Sequence, residues 1–332
     1  MRAVTTAGES VLVDCAVGWV SELLADATAG ELTEAGPAGG TAEAGADGET
    51  VRLEIEADRR PFDRDGWTLI GRGAWAATPR TLIEDACSSG FDLQVEPRGS
   101  VLHVAARYRP APRTRAANVL LRARFRLLAA QTLLHYPALW WASVRGRVPL
   151  HVSVTAGPDG VTMLAGPGGV GKSTLLSAGL KRGERATADN LCACDARRAY
   201  GVVEPLRVAG GTGRAAATHG RREYPLPGRV PSLEPDRLVV LRRGAGSKPS
   251  AGPLPSAEAA RELVAGTYMA GELRRFWSFA ATLALATGIG PAHPDVCGTA
   301  TLLASRLPCF EVRVAHGAPA PIGELLSLAG AR

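Results

Sequence analysis

Lysine is nearly absent from this chain: of its 38 basic residues only Lys172, Lys181 and Lys248 are lysines, so arginine carries almost all the positive charge. Aromatic residues make up only 5% of the sequence. The arginines are spread along the chain without aromatic interleaving, and the net charge of +6 is modest for 332 residues. These features exclude the basic, base-stacking stripe that a nucleic-acid binder needs, and no nucleic-acid partner is expected. No cysteine pair is spaced as CxxC among Cys15, Cys87, Cys192, Cys194, Cys297 and Cys309, which excludes a zinc-ribbon framework. Cys192 and Cys194 would share one face of a strand and pack there as small apolar side chains. No run approaches the roughly 18 apolar residues that span a bilayer, and the opening MRAVTTAGESVLVD has no apolar leader core. The expectation is a cytoplasmic protein with reduced thiols and no membrane association.

The apolar segment 11–20 leads into a stretch, about 25–50, rich in Gly, Ala, Glu and Thr without apolar periodicity, which reads as a disordered insertion. Strand patterns follow. Val51-Arg52-Leu53-Glu54-Ile55-Glu56 alternates, and the segments around 93–95 and 101–104 flank Pro97-Arg98-Gly99-Ser100 as a hairpin. A mixed, strand-rich N-terminal domain is therefore expected over 1–115, and a second domain over 116–332. The second domain opens with an amphipathic connector helix over 116–135, stopped by Pro137. Strands are expected near 150–154, 161–165, 185–195, 200–208 and 310–314. The helical patterns fall at 256–268, 271–286 and 295–307, and 243–256 reads as a mobile Gly/Pro/Ser-rich loop. No internal repeat is present.

One motif carries chemistry. Gly166-Pro167-Gly168-Gly169-Val170-Gly171-Lys172-Ser173, followed by Thr174, lies between an apolar strand and a helical pattern running to Lys181. Glycines there let successive amides point inward at phosphate oxygens, and the helix adds its N-terminal partial charge. At this spacing Lys172 reaches the outer phosphates and the Ser173 hydroxyl can ligand magnesium. The expected ligands are ATP and Mg2+ in an α/β P-loop nucleotide-binding domain. Several classes with this loop are excluded by their missing companions. There is no LSGGQ segment of the ABC ATPases, and Pro167 stands where partition ATPases carry lysine. The best apolar strand, Leu238-Val239-Val240-Leu241, ends in Arg242-Arg243 rather than paired acids.

The region from Leu150 to Asp195 resembles the HPr kinase/phosphorylase-like family. The residues that carry the resemblance are His151 on a strand, the turn Gly157-Pro158-Asp159-Gly160, the loop, Arg182-Gly183, and then Ala188-Asp189-Asn190. The resemblance implies ATP-dependent phosphoryl transfer to a hydroxyl, most naturally a serine or threonine of a peptide or small protein, in a cytoplasmic kinase. It implies Asp189 as general base and magnesium ligand beside Ser173, with His151 next to the phosphate site. Asn190 departs from the family's second aspartate, and a neutral amide is no base. Gly210-Gly211-Thr212-Gly213-Arg214 stands where the family has a later glycine-rich signature but matches it loosely. Arg214, Arg221 and Arg222 are candidate phosphate clamps on a loop. Alternatives stay open: a small-molecule kinase, a regulator that binds ATP without transferring phosphate, and, in assembly, a homo-oligomer.

Overall fold

A computed structural model describes residues 1–35, 50–210, 212–215, 220–244, 249–314 and 322–327. The chain forms two compact units, one of residues 1–145 with 275–293 and the other of residues 146–274 with 294–332. Both mix helix and sheet, as expected for an α/β protein.

The first unit is built on nine strands: β1 (Arg2–Thr6), β2 (Glu9–Cys15), β3 (Thr33–Glu34), β4 (Val51–Glu56), β5 (Thr68–Gly71), β6 (Ala74–Ala77), β7 (Arg80–Ile83), β8 (Phe91–Arg98) and β9 (Val101–Tyr108). Their order is β3-β1-β2-β4-β9-β8-β7-β6-β5, with β2–β4 and β4–β9 parallel and the rest antiparallel. The alternation read in Val51–Glu56 is realised: Val51, Leu53 and Ile55 are buried and Arg52 and Glu54 exposed. The helix Tyr136–Val144 packs across β2, β4 and β9. Residues 136–143 of this helix are buried on every side, including Trp140 and Trp141, as its all-round apolar sequence demands.

Three expectations are corrected here. The first compact unit runs to Arg145 rather than residue 115, because the helices after residue 112 bury their apolar faces against β2, β4, β9 and the helix Gly18–Ala27. The apolar helix Phe276–Thr287 joins the same unit against β5–β8. Pro137 does not stop the connector. The helices Pro112–Leu120 and Arg122–Ala130 lead into a π turn, Gln131–His135, and Pro137 sits in the first turn of the next helix, where its missing N–H costs nothing. The insertion read at 25–50 is ordered at its start, where the helix reaches Ala27 and β3 pairs with β1. Residues 36–49 lie outside the described residues.

The second unit holds β10 (Val148–Leu150), β11 (Ser153–Gly157), β12 (Gly160–Ala165), β13 (Arg185–Ala186), β14 (Cys192–Cys194), β15 (Ala199–Gly201), β16 (Leu206–Ala209), β17 (Arg214–Ala215), β18 (Arg221–Tyr224), β19 (Ser232–Leu233), β20 (Arg237–Arg243), β21 (Ser250–Pro253) and β22 (Cys309–Val314). They form a six-stranded sheet β13-β11-β12-β20-β22-β21, a four-stranded sheet β10-β14-β15-β19 and a small sheet β16-β18-β17. At the centre β12, β20 and β22 run parallel. The continuous apolar run Leu238–Leu241 is fully buried, as a central parallel strand should be. The helix Lys172–Leu180 packs on β11, β13 and β16, while Ser256–Tyr268 packs on β12, β20, β22 and the helix Val296–Arg306.

Here too the structure amends the reading. The strands expected over 185–195 and 200–208 are short pieces, which leaves 187–191 outside any strand and free to carry polar side chains inward. The loop read at 243–256 contains β21, whose backbone pairs antiparallel with β22. Residues 245–248 lie outside the described residues. Arg214, Arg221 and Arg222 stand on paired strands rather than a loop. Gly211 of the glycine-rich segment lies outside the described residues.

Candidate functional site

The loop 166–171 leaves the end of β12 and turns directly into the helix that starts at Lys172. Gly166 has φ +135°, and a Cβ there would stand 2.6 Å from the Leu241 carbonyl oxygen on β20. Only glycine lets the loop pass so close to the neighbouring strand. Gly169 and Gly171 also have positive φ, 80° and 119°. Val170 pins the loop from below by burying its side chain among Leu164, Leu175, Val239 and Leu241. Among the described residues the amides of Gly168, Gly169, Gly171, Lys172 and Ser173 donate no hydrogen bond, so the loop keeps a row of N–H groups for an anion.

Lys172 is buried, and its Nζ donates to the Gly166 carbonyl at 2.8 Å and the Pro167 carbonyl at 3.4 Å. Burial pulls its ammonium down to about 8, against the attraction of Asp189 and Glu272 and with the repulsion of Arg221. Arg243 Nη2 donates to the Gly169 carbonyl at 2.8 Å, holding the crest of the loop from β20.

Behind the loop lies Asp189, fully buried in the segment between β13 and β14. Its Oδ2 accepts from Asn190 Nδ2 at 2.9 Å and from the Arg207 backbone N–H at 3.0 Å, and its own carbonyl accepts from the Ser153 hydroxyl. The Ser173 hydroxyl stands near enough to favour the charged carboxylate, yet Oδ1 completes no hydrogen bond. Burial raises the Asp189 pKa above the usual carboxylate range, opposed by Ser173, Arg207 and Lys172.

Asn190 connects this carboxylate to a second one. Its backbone N–H donates to Glu204 Oε1 at 2.9 Å, and Glu204 pairs with Arg207 at 3.2 Å. The buried Arg207 guanidinium also faces Glu223 at 3.8 Å and Glu272 at 3.5 Å. Four carboxylates therefore surround two cations, Arg207 and Lys172. Burial pushes Glu204 up to about 8, against the attraction of Arg207 and together with the charges of Asp189 and Glu272. His151 faces the same network with its Nδ1 unpartnered, and burial together with the Lys172 charge pulls it down to about 4. It is a neutral imidazole at neutral pH.

Above this network opens a cleft of about 540 Å³, lined by the loop, His151, Asn190, Arg221 and Glu272 among others. Of the residues expected at a site, Lys172, Ser173, Thr174, His151 and the loop glycines 168, 169 and 171 line one cleft. Asp189 does not line it, whereas Asn190 does. Glu204, Arg207 and Glu272 were missed. A signal existed for the first two: Glu204 and Arg207 interrupt the otherwise apolar run 202–208, where a charge must find a buried partner. Among the described residues no three or more His, Cys, Asp and Glu side chains converge as a metal cage. No helix among them is long and apolar enough to cross a membrane. No protein-family model matches the chain, and no curated protein sequence matches it significantly.

Proposed function

We propose that the second unit binds ATP with Mg2+ at the loop 166–174 and transfers the γ-phosphoryl group to a hydroxyl, as a kinase of HPr kinase-like type. The acceptor this reading favours is a serine or threonine of a peptide or small protein. The observation that carries it is the meeting of Lys172 and Ser173, at the start of the loop helix, with the buried carboxylate of Asp189. A loop of free amides alone binds anions, but the carboxylate beside Ser173 supplies what a cation needs.

The donor set fits a hard cation. Ser173 offers a hydroxyl, Asp189 Oδ1 lacks a hydrogen-bond donor, and the surrounding carboxylates outnumber the cations. Magnesium held by one or two protein oxygens and by substrate phosphates would neutralise charge on the transferred group. Lys172 would exchange the Gly166 carbonyl for phosphate oxygens, and the loop amides would hold the β- and γ-phosphates. Arg221 lines the same cleft as Lys172 and would add a second cation for the phosphates.

In the transfer, the acceptor hydroxyl oxygen bonds to γ-phosphorus, the bond to the β–γ bridging oxygen breaks, and ADP leaves. The hydroxyl proton passes to a carboxylate. Asp189, with its raised pKa, is suited to that role once side-chain movement at Asn190 opens it to the cleft. His151, neutral, would orient groups by hydrogen bonding rather than by charge.

The test is transfer from γ-labelled ATP to serine- and threonine-containing peptides by wild type and Asp189→Ala. Loss of transfer by about 100-fold or more with nucleotide affinity retained supports the base role. A second reading, ATP binding without transfer, draws on the full burial of Asp189 and the neutral Asn190 that follows it and lines the cleft. Nucleotide binding by wild type with no transfer to any hydroxyl acceptor would select it.

A further inference from the structure

The first unit has a second concave site, which does not rest on the kinase reading. A cavity of about 680 Å³ lies between the β6–β7 region, the segment 84–88 and the first turns of the helix Phe276–Thr287. Arg72, Arg113 and Arg275 converge on it from three separate parts of the chain. None of the three makes a side-chain hydrogen bond or ion pair among the described residues.

Other arginines of this unit are paired. Arg64, Arg98, Arg107, Arg109 and Arg145 each hold a carboxylate. The carboxylates at the cavity are already committed. Glu84 accepts from Arg64 at 3.0 Å and from Trp75 Nε1 at 3.4 Å, and Asp85 Oδ1 accepts from the Gly90 N–H at 2.8 Å. Exposed Arg72 and Arg113 and half-buried Arg275 therefore share a concavity in which Glu84 is already paired with Arg64, leaving Asp85 as the one unpaired carboxylate among three guanidinium groups. The wall itself is held in an unusual conformation: Asp85, Cys87 and Ser88 all have positive φ, at 45°, 57° and 59°. Left-handed backbone at successive non-glycine residues persists where surrounding structure enforces it, and such strain gathers at ligand sites. Here Asp92 accepts the Asp85 N–H at 2.9 Å, and Arg109 in turn clamps Asp92.

We propose that this cavity binds a small oxyanion carrying at least two negative charges, a phosphate ester or a di- or tricarboxylate, through Arg72, Arg113 and Arg275. The guanidinium fork suits both kinds of oxyanion, since each presents paired oxygens at the spacing of two N–H donors. Ser278, in the first turn of the helix, lines the same space.

Two probes, pyrophosphate and citrate, distinguish the ligand classes by isothermal titration at low ionic strength. In full-length Lys172→Ala, anion binding at the loop 166–174 is weakened while its amides remain, so the first-unit site is the component of the titration that the arginine substitutions remove. That component is expected for at least one probe, weakened at least about tenfold by adding Arg113→Ala and Arg275→Ala. Pyrophosphate binding alone assigns a phosphorylated ligand, and citrate binding a carboxylate one. Phenylglyoxal footprinting reads the site without substitutions: the bound probe should slow modification of Arg72, Arg113 and Arg275 but not of exposed Arg115. Absence of the site in Lys172→Ala, indifference to the arginine substitutions, or unprotected arginines in the footprint overturns the proposal.

Discussion

Asn190 Nδ2 donates a hydrogen bond to Asp189 Oδ2 at 2.9 Å, while the Asn190 backbone N–H holds Glu204 at 2.9 Å. The residue that departs from the resembled family's acidic pair is thus a donor to one carboxylate in a cluster already rich in them. An aspartate at 190 could not donate, and it would add charge beside Asp189, Glu204 and Glu272.

Asn190→Asp should therefore destabilise the second unit by about 1–3 kcal/mol, the cost of losing one of the two donors to the buried Oδ2 and setting a second carboxylate beside it. Urea denaturation at pH 7 measures it. Added Mg2+ should recover part of the loss, because a cation can bridge the two carboxylates. An unchanged midpoint would mean that the Asn190 amide contributes nothing to holding Asp189.

Lys172 predicts a pH signature for ligand binding. Its ammonium is pulled down to about 8 from an ordinary 10.5, so the unfolded chain holds more protons between those values. This group's contribution to stability accordingly rises with pH across that window. Phosphate oxygens favour the charged form, so nucleotide binding above pH 8 should take up a proton and weaken as pH increases, by up to about tenfold per unit. Calorimetry at pH 8.5 in two buffers of different ionisation enthalpy reads the proton directly. Equal apparent enthalpies in both would count against a neutral Lys172 in the free protein.

How much of this was legible in the sequence follows the range of the interactions. The loop could be read because its conformation is local: glycines at 166, 169 and 171 take positive φ, and Val170 enters the core beneath them. The helix Ser256–Tyr268 has the bounds its apolar spacing implies. What escaped depends on partners distant in sequence. Arg207 gathers carboxylates from 204, 223 and 272, and the helix Phe276–Thr287 returns to the first unit, neither of which a local pattern encodes. Pro137 misled because a π turn upstream lets the helical path continue through it.

Glu204 and His151 pull stability in opposite directions with pH. Glu204 is pushed up to about 8 from 4.5, so between those values the folded protein keeps a proton that the unfolded chain releases. Its contribution is present below that window and is lost as pH rises through it. His151 is pulled down to about 4 from 6.5, so the unfolded chain binds the extra proton and stability rises with pH there. Glu204→Gln keeps the shape and deletes the first effect. Its stability relative to wild type should climb steadily from pH 5 to pH 8 in parallel urea titrations, and a difference independent of pH would show that Glu204 is ionised throughout.

Gly166 and Gly168 sit two residues apart in the same loop, and their alanine variants should behave differently. At Gly166 a Cβ meets the Leu241 carbonyl oxygen at 2.6 Å on a backbone with φ +135°, so Gly166→Ala must either shift β20 or displace the loop. A loss of at least about 1–3 kcal/mol is expected, together with loss of nucleotide binding, since the amides leave their row. At Gly168 a Cβ would meet nothing within 4 Å. Gly168→Ala should stay within about 0.5 kcal/mol of wild type in urea denaturation, as a substitution that fills open space does. Any loss of nucleotide affinity it shows would then report the methyl group intruding on the ligand rather than on the fold. Equal destabilisation by the two variants would mean that neither the positive φ at Gly166 nor its approach to β20 imposes a special constraint.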